Sequence, residues 1–239
     1  MQPVPSRMFR RRAPVSTILG TLTLLLLSFA CTAEDSMNAT ASASKQMVII
    51  GASYAEEWQT PKLPGYIVTN KGIGGQESSD VRARFERDVI ALRPDTVMIW
   101  GHYNDVVRAK PENMAAARKK AQENYRAMVE QARAANITPI LVTELTIPIP
   151  DTIKEKLMGF IGSVRGKTDY RVQKNTEIKA LNQWLRDYAK EQKIKLLDLE
   201  AALDSGNGTR KVEYTRSDNS HVSPAGYDAI TRYVAAQLT

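Results

Sequence analysis

Five short apolar runs separated by longer amphipathic stretches restrict this chain to an α/β architecture. The runs are residues 47–50 (MVII), 66–70 (YIVTN), 96–100 (TVMIW), 139–143 (PILVT) and 194–199 (IKLLDL). Residues 78–91 carry Val81, Phe85, Val89 and Ile90 at helical spacing, and residues 112–135 are rich in the strong helix formers Ala, Glu, Lys and Arg. Residues 175–192 present Ile178, Leu181, Trp184, Leu185 and Tyr188 as one stripe, and residues 224–238 close the chain as a helix. Strands alternating with helices of this length are joined by right-handed crossovers into a parallel sheet covered on both faces. The sequence therefore predicts a three-layer α/β/α sandwich with a central parallel sheet of about five strands. Residues 145–170 contain Pro148, Pro150, Gly159, Gly162 and Gly166, and read as an excursion over the sheet edge that contacts substrate.

The 239 residues suffice for one sizeable core and do not demand two. Four of the seven net positive charges are Arg7, Arg10, Arg11 and Arg12, so the rest of the chain carries only +3. A nearly balanced body argues against a nucleic-acid partner. The basic cluster precedes an apolar run that ends at Ala30, and a small-residue stretch follows, which is the pattern of a secretory signal peptide over residues 1–30. A membrane anchor is the competing reading, because the run including Ala13 and Pro14 approaches spanning length. The threonines and the small residues at its end favour cleavage. Residues 26–31, LLSFAC, resemble the lipobox of bacterial lipoproteins, in which the cysteine becomes the lipidated first residue. Ser28 and Ala30 also satisfy the small-x-small rule for ordinary secretion. On the lipoprotein reading, Cys31 attaches the protein to a membrane and residues 31–45, rich in Ser, Ala and Thr, form a tether. Residues 46–239 then form the catalytic domain, in the periplasm, on the outer membrane or secreted. One cysteine excludes an intramolecular disulfide, two histidines make a metal site improbable by composition, and no cofactor is called for.

Candidate chemistry begins where the first apolar run enters Gly51-Ala52-Ser53. A strand delivering a serine into a helix places a hydroxyl at the carboxyl end of a sheet, where open α/β folds keep their crevices. A serine hydroxyl needs a neighbouring base to become a nucleophile. Asp218-Asn219-Ser220-His221, just before the last helix, offers a base with a carboxylate three residues back that can hold its tautomer. Residues 70–75 (NKGIGG) supply glycines after a strand, whose uncovered N–H groups suit a developing oxyanion. Gly101-His102-Tyr103-Asn104-Asp105 supplies a side-chain amide, Asn104. Each element alone has a structural explanation: a helix cap for Ser53, a solvated loop for His221, a turn for Asn104.

Together the four blocks resemble the SGNH hydrolases, also called GDSL-type esterases and lipases, over roughly residues 46–238. The Gly-Asp-Ser block is Gly51-Ala52-Ser53 here, and the glycine block is NKGIGGQES. The Gly-x-Asn-Asp block is HYND, and the Asp-x-x-His block is DNSH. The resemblance implies a flavodoxin-like fold and a serine ester hydrolase with Ser53, Asp218 and His221 as catalytic residues. It also implies an oxyanion hole from the N–H groups of Ser53 and Gly75 and the amide of Asn104. Two positions depart from the family pattern. Ala52 stands where aspartate is usual, and His102 where glycine is usual, so His102 could narrow the pocket, add a donor or point outward. Ser53 and His221 are expected near hydrogen-bond reach. The implied substrate is a small-molecule, lipid or acylated-glycan ester, with transfer of the acyl group to a glycan hydroxyl, or a binding lipoprotein without turnover, as alternatives.

Overall fold

A computed structural model describes residues 44–149 and 170–239. The strands are β1 (Lys45–Gly51), β2 (Tyr66–Gly72), β3 (Thr96–Trp100), β4 (Thr138–Val142) and β5 (Lys195–Leu197). They form one sheet in the order β2-β1-β3-β4-β5, with every neighbouring pair parallel. The order reverses between β1 and β3, which makes the carboxyl ends of those two strands the switch point where such sheets open a crevice. Ser53 leaves β1 there and His102 to Asn104 leave β3.

Side chains alternate across the sheet with period two, and both faces are covered. Met47, Ile49, Met98, Trp100, Ile140, Val142 and Leu197 face one core. There they meet α1 (Ser53–Glu57) and α8 (Pro224–Leu238). Val48, Ile50, Val97, Ile99 and Leu141 face the other. That core is covered by α2 (Ser78–Ala83), α3 (Phe85–Asp88) and α5 (Met114–Ala134). Two further short helices, α4 (Tyr103–Arg108) and α7 (Leu199–Ala202), follow β3 and β5, and α6 (Tyr170–Glu191) packs its Leu185 and Tyr188 into the second core. The five strands and the last helix lie where the apolar pattern put them, within one or two residues, except that β5 stops at Leu197. Asp198 there turns its side chain to accept the Ala201 N–H and starts α7.

Residues 78–91 do not form the single helix their periodicity predicts. They form α2, α3 and a 3₁₀ turn, Ile90–Leu92. The break falls at Arg84, which turns inward and is buried. Its guanidinium donates to the Gly51 carbonyl at 2.9 Å, the Lys71 carbonyl at 2.7 Å and the Gln76 side chain at 2.7 Å, and pairs with Asp88 at 2.8 Å. Buried carbonyls at strand ends require donors, and Arg84 supplies them to β1 and β2 together. The Asp88 carboxyl is held below the usual carboxylate range, chiefly by its hydrogen bonds from Arg87 and Arg84 against the opposing effect of desolvation.

The start of the expected excursion is corrected as well. Leu145, Thr146, Ile147 and Ile149 are buried, because the Asn175 side chain takes the Ile147 N–H at 2.7 Å and donates to its carbonyl at 2.8 Å. The remainder, residues 150–169, lies outside the described residues, as do the leader, Cys31 and nearly all of the tether. Among the described residues no helix is long and apolar enough to cross a membrane.

Gly51 shows how tightly β1 leaves the sheet. A Cβ built there would overlap the Trp100 carbonyl oxygen. Gly51→Ala should cost about 3 kcal/mol by overpacking against backbone that cannot yield. For a chain of this size that lowers Tm by roughly 6–12 °C in a circular dichroism melt. An unchanged Tm would show that the two strand ends can separate freely.

Candidate active site

Ser53 is the first residue of α1, preceded by Ala52, whose side chain offers no cap. Its hydroxyl has no hydrogen-bond partner among the described residues, which leaves it available at the end of β1. The next residue, Tyr54, points the other way and is buried. Its ring lies 5.6 Å from Trp100 and 5.1 Å from Tyr103, with Trp58 edge-on to Trp100 at 6.1 Å. These rings belong to one core and bury large apolar area beside the start of α1. Burial pushes the Tyr54 hydroxyl well above its ordinary value, so it stays a neutral donor, and it donates to the Ser220 carbonyl at 2.9 Å. Tyr227 of α8 donates to the Tyr54 carbonyl at 3.1 Å. The start of α1 and the loop before α8 are thus sewn together from both sides.

That loop presents His221. Asn219 adopts a left-handed φ of 61°, which curls Asp218 back onto the ring. His221 Nδ1 lies 2.8 Å from Asp218 Oδ2, while Asp218 Oδ1 accepts the N–H groups of Ser220 at 2.8 Å and His221 at 2.9 Å. Desolvation by itself would raise the Asp218 carboxyl, but these bonds outweigh it and hold the group at about 2. The carboxylate is therefore ionised at neutral pH and orients the ring. On the other side, His221 Nε2 lies 3.8 Å from Glu57 Oε1, and Glu57 in turn lies 3.3 Å from Arg216. No hydrogen bond joins Ser53 to His221; such contacts often close only when substrate binds. Glu57 ends α1 and faces the imidazole.

The glycine block passes over the serine. A Cβ on Gly74 would lie 3.9 Å from Ser53 Cβ and 2.7 Å from the Glu56 carboxylate, which places this backbone beside the serine. Gly75 has φ +76°, a conformation that favours glycine. Its N–H has no acceptor among the described residues, and its carbonyl accepts from Arg108 at 2.6 Å. Asn104, nearly buried, donates one amide hydrogen to the Gln76 carbonyl at 2.8 Å, which leaves the second for a ligand. Asp105 accepts from Ser78 N–H at 2.8 Å and Ser78 Oγ at 2.6 Å, and burial pushes its carboxyl up to about 6. Asn104, Asp105 and Arg108 of α4 thus hold residues 75–78 in place.

His102 resolves differently from all three sequence expectations. It is buried, its side chain 2% exposed, and it meets Tyr125 edge-on at 5.1 Å, with Nε2 3.3 Å from the Asn182 side-chain oxygen. Burial pushes its pKa down to about 3, so it is neutral. It neither lines an exposed pocket nor points outward. The residue that sequence reasoning missed is Glu144, two residues beyond β4. Its one signal was position: a carboxylate just past a largely buried parallel strand, level with the ends of β1 and β3. Among the described residues no group of three or more His, Cys, Asp or Glu side chains could hold a metal ion.

Comparisons with known proteins bear on the family and the fold. The GDSL-like lipase/acylhydrolase family model matches residues 49–229. The chain is 31% identical over 99 residues to the uncharacterized lipoprotein YqeF of Bacillus subtilis (strain 168), a match covering 40% of each chain. It is 52% identical over 48 residues to an acetylxylan esterase of Geobacillus stearothermophilus, covering 20% of this chain and 22% of that protein. The matches thus span well under half the length of both curated relatives. Among solved structures, a GDSL-like lipase of Bacteroides thetaiotaomicron VPI-5482 superposes with a TM-score of 0.61 at 27% identity, over 82% of this chain and 88% of that one.

Proposed function

The chain belongs to the GDSL-like lipase/acylhydrolase family, and from that premise we propose that it hydrolyses carboxylic esters through an acyl-enzyme on Ser53. The observation that carries the proposal is the Asp218–His221 pair, 2.8 Å apart, on a loop sewn to the helix that Ser53 begins. A carboxylate on Nδ1 fixes the tautomer that leaves Nε2 free to accept a proton. His221 takes the hydroxyl proton as Ser53 attacks the acyl carbonyl, and Asp218 stabilises the imidazolium. The N–H groups of Ser53 and Gly75 and the free amide hydrogen of Asn104 receive the oxyanion. Collapse expels the alcohol with the proton from His221, and water, activated by the same imidazole, releases the acid.

The acyl group we assign is acetyl or another short chain, carried on a glycan hydroxyl. The relative named an acetylxylan esterase, half identical over its matched stretch, supports this class. The basic and apolar leader ending at Cys31, and a relative named a lipoprotein, support export and lipid attachment to the cell envelope. The test is a profile of 4-nitrophenyl esters from acetyl to dodecanoyl, together with acetate release from acetylated xylan. Turnover should be greatest for acetyl and fall with chain length. No hydrolysis above buffer at any length would overturn the enzymatic reading, and a maximum at long chains would overturn the acetyl assignment.

A further inference from the structure

We propose that Glu144 is the positioning residue of the oxyanion arm, setting from the end of β4 where α4 carries Asn104. The inference rests on the reading of Asn104 as an oxyanion donor. Glu144 is 1% exposed, and its Oε1 accepts the N–H of His102 at 2.8 Å and of Tyr103 at 3.2 Å. These groups open α4, whose preceding residue, His102, provides no side-chain cap. A helix start buried without acceptors is costly, and here the acceptor comes from a neighbouring strand rather than from the helix itself.

Glu144 is in turn held by α6. Its N–H donates to the Asn182 side-chain oxygen at 2.8 Å, and its carbonyl accepts from the Asn182 amide at 2.8 Å. The same amide reaches Glu200 at 2.8 Å, and Glu200 pairs with Arg186 at 2.7 Å. The sequence of contacts therefore runs from α6 through Glu144 to the first turn of α4. From there Asn104, Asp105 and Arg108 carry it to Gly75, Gln76 and Ser78. Glu144 is thus linked through α4 to both oxyanion elements outside α1, while Arg84 steadies the glycine block from the other side. A cap serving stability alone would not need a fully buried acid, whose second oxygen, Oε2, makes no well-formed hydrogen bond among the described residues and interacts there only with the Trp100 indole.

Burial pushes Glu144 up to about 7, with the His102 and Tyr103 N–H groups lowering it, the Asp105 charge raising it and the Trp100 indole lowering it. The neutral His102 ring stands 3.9 Å away, and Tyr54 and Tyr125 also face the carboxyl. As pH rises through about 7 the group ionises and its two N–H bonds become charge-assisted, which tightens the arm.

The test is a double-mutant cycle on ester turnover. Glu144→Ala should lower kcat by about thirtyfold, part of the value of an oxyanion donor, with KM changed by less than about threefold. In the Asn104→Ala background the same change should lower kcat by less than about twofold, because neighbouring residues acting through one another are non-additive. An equal loss in both backgrounds, or none in either, would overturn the proposal. Glu144→Gln, which keeps an oxygen for both N–H groups, should restore kcat to within about threefold and lose the share of the wild-type rise in kcat around pH 7 that Glu144 adds, so that its pH profile differs in shape from wild type while keeping the dependence on the general base. If Glu144→Ala does not fold, this pH comparison decides, and superimposable profiles would overturn the proposal. Wild-type turnover, measured in the same series, separates the two readings. Its absence removes the proposed activity, whereas turnover with additive losses removes only the role of Glu144.

Discussion

Replacement of Ser53 by alanine is expected to lower kcat for ester hydrolysis by about 10⁶-fold while leaving the fold intact. The two halves of this expectation have separate causes. Chemistry is lost because the neighbouring hydroxyl, that of Tyr54, is buried and committed to the Ser220 carbonyl, and water attacking directly gains only what the oxyanion donors and binding supply. Stability is retained because the Ser53 hydroxyl bonds to nothing among the described residues, and Ala52 rather than Ser53 occupies the cap position of α1. Alanine is also the better helix former. The change in Tm should stay within that of an ordinary surface substitution, about 0.5 kcal/mol. Kinetics and a thermal melt on the same preparation test both halves. Combining Ser53→Ala with His221→Ala should cost no more than either alone, since the two act as one unit. Activity surviving in Ser53→Ala would place the nucleophile elsewhere.

The second large effect concerns Asp218→Asn, which should lower kcat by about 10⁴-fold with near-native structure. The amide oxygen can still accept the Ser220 and His221 N–H groups that Asp218 Oδ1 takes now. Its NH₂ group would then face Nδ1, which forces the ring proton onto Nε2 and leaves no base for Ser53. Because Asp218 is held at about 2, it remains ionised across the whole working range, so a loss of wild-type activity between pH 7 and pH 4 does not come from this carboxyl. The sign for stability follows. A carboxyl lowered from 3.8 contributes stability that is full above about 4 and is lost as pH falls towards 2. The Tm difference between wild type and Asp218→Asn should shrink over that interval, and it should be small throughout because the Asp218 side chain is about half exposed. A variant retaining a tenth of wild-type activity would mean that another group orients the ring.

The strands were legible because each is a local apolar run and a buried parallel strand has no other way to read. Residues 78–91 were not, since helical periodicity carries no information about the strand-end carbonyls that draw Arg84 inward. Ser53, Gly75, Asn104, Asp218 and His221 could be named as candidates because each sits in a short motif beside a predicted strand end or helix start. His102 could not be placed, because a bulky residue after β3 can turn to the crevice or to the core. Its contacts with Tyr125 and Asn182 settle that choice, and those residues lie on two helices distant in sequence.

By itself the sequence determined the fold class, the order of its elements and the short list of chemically capable side chains, since all three are written in spacing along the chain. Only the tertiary structure decided which carboxylates serve that list. Arg84 reaches a carbonyl 33 residues away, Glu144 receives an N–H from 42 residues away, and Glu57 meets a ring from the far end of the domain. The reason is physical. A parallel sheet brings the carboxyl ends of strands together from distant parts of the chain, and polar groups buried at that edge must find their partners across it.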